Sequence, residues 1–239
     1  MPSADVVISL RDIRKDYRGL RPLRVQSLDV REGESVALVG LDRVAAEVFV
    51  NLVIGATLPD SGEVLSFGTP TSAITDADEW LSGLHRFGIL SERIVLLESC
   101  TVEQNLALPF SLEIERIPEE VSSRVRELAD EVGIPTHLLA EAAGTLGAGA
   151  LHRTRLAKAL ALGPRVLLAE HPNAALPAED VSRFAADLAA IAARRRMAMI
   201  VMTADVTFAR AASDRALMVR SATGQLTPAG GWRDWLARR

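Results

Sequence analysis

The sequence predicts an α/β fold built around a central parallel sheet. Two observations carry that prediction. Short β-branched runs recur along the chain, bounded by Gly, Pro and Asp. The later ones, Val166–Leu168, Ala198–Met202 and Ala216–Val219, are apolar throughout, as strands covered on both faces are, and they alternate with helical stretches at Ala178–Arg195 and Val206–Ala212.

Taken in order, Val6–Leu10 and Val25–Val30 are strands. Ser35–Val39 is a third, running straight into a loop and a helix, and Val64–Phe67 follows the Pro59-Asp60-Ser61-Gly62 turn. Pro118–Val132 has helical spacing, with Val121, Val125, Leu128 and Val132 on one face. Glu119 and Glu120 fall in its first turn, where the helix dipole favours anions. Pro228-Ala229-Gly230-Gly231 is a turn, and Trp232–Arg239 is a short amphipathic tail. No internal repeat is present.

Bulk properties narrow the function classes. A chain of 239 residues buries one full core. Its 24% charged and 49% hydrophobic content is that of a folded soluble protein. A net charge of −4 argues against nucleic acid as a partner. The lone Cys100 rules out an internal disulfide framework and suits a reducing compartment. The opening residues lack a signal-peptide layout, and no 18-residue apolar run exists, so the expected location is cytoplasmic. The four histidines lack ligand spacing, so no metal centre is expected from them.

The segment from Ser35 to Val64 has the layout of a phosphate-binding loop without its working residues. Such a loop reads G-x-x-x-x-G-K-[ST]: small residues let backbone N–H groups approach phosphate, Lys meets the terminal phosphates, and the hydroxyl holds Mg²⁺. Counting from Gly40 past Asp42 and Arg43, the second Gly falls on Ala45, the Lys on Ala46 and the hydroxyl on Glu47, with Val48 next. The only lysines, Lys15 and Lys158, are far from this loop in sequence. Two units of charge have moved toward negative, each about 4 kcal/mol at contact range for an effective dielectric of 20. Two placements of Glu47 remain open: on the free N–H groups of the first helical turn, where a phosphate would sit, or out toward solvent. Arg43 is expected to pair with Glu47 or to reach a phosphate from an unusual side. An empty loop should satisfy its own N–H groups, with Asp42 or Glu47 accepting and Arg43 neutralising one of them.

Further matches follow in order. Asn51, Gly55 and Pro59–Val64 fit N-L-L-x-G-x-x-x-P-D-S-G-E-V, and Ile8–Tyr17 reads ISLRDIRKDY. Phe87–Glu92 reads FGILSE, and Thr101–Pro109 reads TVEQNLALP. Leu146–Leu160 fits L-S-G-G-Q-x-x-R-x-x-x-A-R-A-L, and Pro164–Pro177 fits P-x-x-L-L-x-D-E-P-T-x-x-L-D. By these motifs the chain resembles the ATP-binding subunits of ABC transporters over nearly its whole length.

The resemblance implies a P-loop NTPase fold of the ABC ATPase type. That fold is a parallel core sheet with an antiparallel β subdomain and a helical subdomain inserted at roughly 95–155, all in one domain over 1–239. It implies that Tyr17 stacks on adenine, and that ATP and Mg²⁺ are bound if activity is retained. It also implies degeneracy. The Walker B Asp and the catalytic Glu fall on Glu170 and His171, the Q-loop Gln on Glu92, the switch His on Ala204 and the D-loop Asp on Pro177. The signature L-S-G-G-Q becomes Leu146-Gly147-Ala148-Gly149-Ala150, without its Ser. His171 is expected to be a hydrogen-bonded packing residue beside Glu170. No bound cofactor is expected, and the expected partners are a permease subunit and a second ATP-binding subunit, with the membrane reached through the permease. The leading reading is a non-hydrolysing structural or regulatory half of a transport complex. The alternatives are an unconventional active ATPase and a repurposed binder of some other ligand.

Overall fold

In the computed structural model, which describes residues 6–229, the strands sort into two sheets. Strands β1 (Val6–Lys15), β2 (Leu23–Arg31), β3 (Ser35–Val39), β4 (Ser61–Ser66) and β5 (Thr69–Pro70) lie in the first third of the chain. β6 (Phe87–Leu90) precedes a helical stretch, and β7 (Val166–Glu170), β8 (Ala198–Thr203), β9 (Arg215–Arg220) and β10 (Gln225–Pro228) follow it. The helices are α1 (Arg43–Val53), α2 (Ala77–Leu84), α3 (Val102–Ala107), α4 (Glu119–Glu131), α5 (Ala148–Leu160), α6 (Ala178–Arg195) and α7 (Val206–Ala212).

The larger sheet has the order β10-β9-β3-β8-β7-β6 and is parallel except for its β10 edge. β3 therefore lies between β8 and β9, and α1 starts just beyond its C-terminal end. The smaller sheet, β2-β1-β4-β5, is antiparallel. This is the expected core sheet with its antiparallel partner.

Strand alternation divides the core in two. Ala37, Val39, Leu167, Ala169, Met199 and Val201 face α3 to α7. Their neighbours Val36, Leu38, Leu168, Ile200 and Met202 face α1 and the antiparallel sheet. β3, β7 and β8 are buried at every position, which is why they read as unbroken apolar runs.

Several elements depart from the sequence expectation. β1 runs on to Lys15 because its polar residues are paired across the sheet; Arg11 meets Asp29 of β2 at 2.6 Å. β4 starts at Ser61, earlier than expected. β6 is a strand that a four-residue run with an internal glycine does not announce, and Gly88 is required there, since a Cβ would lie 2.5 Å from the Ala159 carbonyl. Pro228 closes edge strand β10, where its missing N–H costs nothing, and Ala229 bonds back to the Ala216 carbonyl at 2.8 Å. The Gly230-Gly231 part of the expected turn and the Trp232–Arg239 tail lie outside the described residues. Between β6 and β7 the chain forms α3, α4 and α5. α3 opens with a Thr101/Gln104 capping box, and α4 is tied to α6 by Arg195 donating to both Glu131 oxygens at 2.9 and 2.5 Å.

Candidate functional site

The site is built where β3 ends. Gly40 turns the chain at φ +101°, a conformation that glycine adopts without strain. Asp42 then caps α1, its Oδ1 accepting from the Ala45 N–H at 2.7 Å and its carbonyl from the Ala46 N–H at 2.9 Å. The start of a helix is a ready anion site, and here the chain's own carboxylate takes it. Ala45 and Ala46 are buried and present no cation, and Val48 packs partly into the core beneath.

Asp42 thus accepts from a loop N–H as expected, but the other two expected partners differ. Glu47 lies beyond the first turn, so it neither caps α1 nor stands free; its Oε1 accepts from Arg93 Nη1 at 2.8 Å. Arg43 pairs with Glu92, Nη1 to Oε2 at 2.6 Å, rather than with Glu47 or Asp42. The reason is reach: the segment after β6 passes beside α1 and offers one residue of each sign.

Arg93 is the residue that sequence reading missed. Its Nε and Nη2 donate to Glu170 Oε2 and Oε1 at 3.3 and 2.5 Å, while Nη1 holds Glu47. The Glu170 side chain, at the end of β7, is 7% exposed and also accepts from Ser91 Oγ at 3.2 Å. One guanidinium therefore joins the two carboxylates that stand at the Mg²⁺-ligand positions of the family pattern. Only a cavity of about 140 Å³ remains between Arg43, Glu47, Glu92, Arg93, Glu170 and His171. The signal was present as a Glu92-Arg93 dipeptide of opposite signs, but nothing local says what it pairs with.

His171 adopts φ +45°, its N–H donating to the Met202 carbonyl at 2.7 Å. Its ring is less settled than expected: Nε2 is buried with no hydrogen-bond partner. Ala204 lies in an exposed bend between β8 and α7, where Thr203 Oγ1 bonds Asn173 Oδ1 at 2.8 Å. Pro177 precedes α6 and makes no side-chain cap.

On the other side of the loop the chain stays open. A cavity of about 390 Å³ is lined by Tyr17, Leu20, Arg21, Arg24, Gly40 and Asp42, among others. Burial, with the Asp42 carboxylate nearby, raises the Tyr17 hydroxyl above its usual pKa.

The signature positions belong to α5. Gly147 is its N-cap without a side-chain bond, and Ala148 and Gly149 open its first turn. Gly149 lines a separate cavity with Arg153, Asp180 and Phe184. Behind it, His152 is 1% exposed against the Phe184 ring, and neither ring nitrogen has a hydrogen-bond partner; the Pro172 carbonyl is near but outside bonding geometry. Burial, reinforced by Arg155, pushes its pKa down to about 4, although Glu92 acts the other way.

These residues do not fit MgATP in the manner of the family. The helix start carries Asp42, position 46 has no cation, and a guanidinium stands between the would-be metal ligands. Among the described residues no group of three or more His, Cys, Asp or Glu is placed to hold a metal, and no helix is long and apolar enough to cross a membrane.

Comparison with known proteins agrees with this architecture. The family model described as ABC transporter matches residues 23–174. The molybdate/tungstate import ATP-binding protein WtpC of Pyrococcus horikoshii is 32% identical over 178 residues, covering 74% of this chain and 49% of that protein. The methionine import ATP-binding protein MetN of Caulobacter vibrioides is 29% identical, covering 87% of this chain and 63% of that protein. The chain thus spans about half to two thirds of the length of the curated relatives it matches. Among solved structures, cbiO1 of Clostridium perfringens, part of the ABC transporter complex cbiONQ, superposes with a TM-score of 0.81 at 21% identity, covering 98% of this chain and 91% of that one. A dimeric bacterial ABC transporter cassette superposes with a TM-score of 0.77 at 22% identity, covering 94% of this chain and all of that one.

Proposed function

We propose a role for this chain from one premise: it belongs to the ABC transporter family, whose model matches residues 23–174. Within that family we read it as an ATP-binding-subunit-like protein that has lost hydrolysis and serves as a structural or regulatory half of a membrane import complex. The carrying observation is the Asp42 carboxylate capping α1 over a wholly buried Ala46, which puts negative charge and no cation where a triphosphate would have to dock. The same reading makes residues 1–239 one domain, with its helical part at about 95–155. It gives the chain no resident cofactor, a permease subunit and a second ATP-binding subunit as partners, and a cytoplasmic position at the membrane, held there by the permease. The import direction comes from the names of the relatives. A repurposed binder is the second reading, and the open cavity beside Tyr17 is the observation in its favour.

Two measurements test this. The purified chain should show no Mg²⁺-dependent ATP turnover above a blank, because the groups at Ala46, His171, Ala204 and Pro177 supply no cation, oriented base, switch or acid. Turnover that disappears in His171→Ala would overturn it. The chain should also co-purify with an integral-membrane permease from its native membrane fraction; recovery free of any permease would favour the second reading.

A further inference from the structure

We infer that Arg93 is a built-in counter-ion latch, holding α1 against the end of β7 as a bound cation would and closing this end of the cleft without any ligand. The inference deepens the non-hydrolysing reading and rests on it. A carboxylate as buried as Glu170 does not persist in an apolar strand end without a charged partner. Among the described residues its donors are the Nε–Nη2 edge of Arg93 and, more weakly, Ser91 Oγ. The remaining prong of the same fork reaches Glu47 on α1. A planar guanidinium with donors on two edges can satisfy both carboxylates at once, which a lysine ammonium cannot do in fixed geometry. Ser91 Oγ also accepts from the Arg93 backbone N–H at 3.1 Å, so the backbone that carries the fork is pinned to the same cluster. Arg43 with Glu92 adds a second strut between the same two segments, in reversed polarity.

The two struts together hold β6's exit loop to the first two turns of α1. The latch is therefore conformational as well as electrostatic: Arg93 joins the loop to β7 through Glu170 and to α1 through Glu47, and a loop that left β7 would strand the buried Glu170. The pair to Glu170 should dominate, because Glu170 is buried while Arg43, Glu47 and Glu92 are partly open to water and screened.

A thermal-unfolding cycle on the full chain, without nucleotide or divalent ion, tests this. Arg93→Ala should lower Tm by roughly 5–10 °C, since it strands a buried carboxylate. Arg93→Lys should recover less than about half of that loss. Adding Glu170→Gln to Arg93→Ala should recover at least about half, because the stranded charge is gone. A Tm for Arg93→Ala within about 1 °C of the parent, or losses that simply add in the double variant, overturns the latch. Should Arg93→Ala fail to fold, the double variant decides alone: its folding supports the latch and its failure overturns it. Because the cycle is run without nucleotide, its result is separable from turnover. ATP hydrolysis by the parent chain would sink the silent-site reading while the cycle still reports on Arg93, and additive losses in a silent chain would sink the latch alone.

Discussion

The two sides of the loop after β3 differ in how much space they leave open. Beside Tyr17 an open cavity of about 390 Å³ persists, with Arg21 and Arg24 on its wall. On the other side the cavity is about 140 Å³, crossed by Arg93 and flanked by the Arg43–Glu92 pair. Tyr17 stands on the wall of the open side. At the other end Ala46 and Glu47 stand at the lysine and hydroxyl positions of the family pattern, and the buried Glu170 carboxylate meets its counter-charge in Arg93. Ionic side chains long enough to meet across a gap fill it without any ligand.

The comparison can be pressed from its strongest consequence down. Acid should have the largest effect, through His152. This ring is buried on α5 against Phe184 with its pKa held near 4 by burial, so as pH falls below its ordinary 6.5 the unfolded chain takes up the proton before the folded one. Stability is then full above pH 6.5 and declines toward pH 4, by up to about 3 kcal/mol from this group. Urea midpoints measured from pH 7 to 4.5 should show the decline, and His152→Phe should flatten it; an unchanged slope in that variant would mean that other groups drive it.

A smaller effect is expected at the junction of the two ends. Asp42→Ala removes the α1 cap and should cost about 1 kcal/mol, or roughly 2–4 °C in Tm. It also uncovers the helix start, so inorganic phosphate should raise the Tm of this variant more than that of the parent. Equal phosphate responses would show that the carboxylate was not what closed the anion site.

The smallest effect concerns the open end. If only the aromatic end receives a ligand, adenosine and MgATP should bind with affinities within about threefold, a difference under about 1 kcal/mol. Tyr17→Ala should weaken both alike. Isothermal titration that finds MgATP at least about tenfold tighter would mean the phosphate end is open after all.

Much of this was legible residue by residue. The buried strands, α4 with its apolar face and the strand–loop–helix at Gly40 all followed from local patterning, as did the missing cation at Ala46. β6 and β10 escaped because four-residue edge strands containing Gly88 or Pro228 lack a period to read. The Thr101/Gln104 capping box is a local signal for the start of α3. The partners of Arg43, Glu47 and Arg93 were not legible at all. Arg93 pairs with residues 46 and 77 positions away, and a charge in a sequence carries no record of where its counter-charge lies.

What the sequence by itself determined is the order of elements, the family frame and which residue types stand at the family-pattern positions, because each is a property of one residue or of a short repeat. What only the tertiary structure decided is how the remaining charges are spent. That depends on β7, α1 and the loop after β6 meeting at one point, and on the desolvation of Glu170 there, which makes one distant arginine obligatory and leaves the exposed pairs nearly optional.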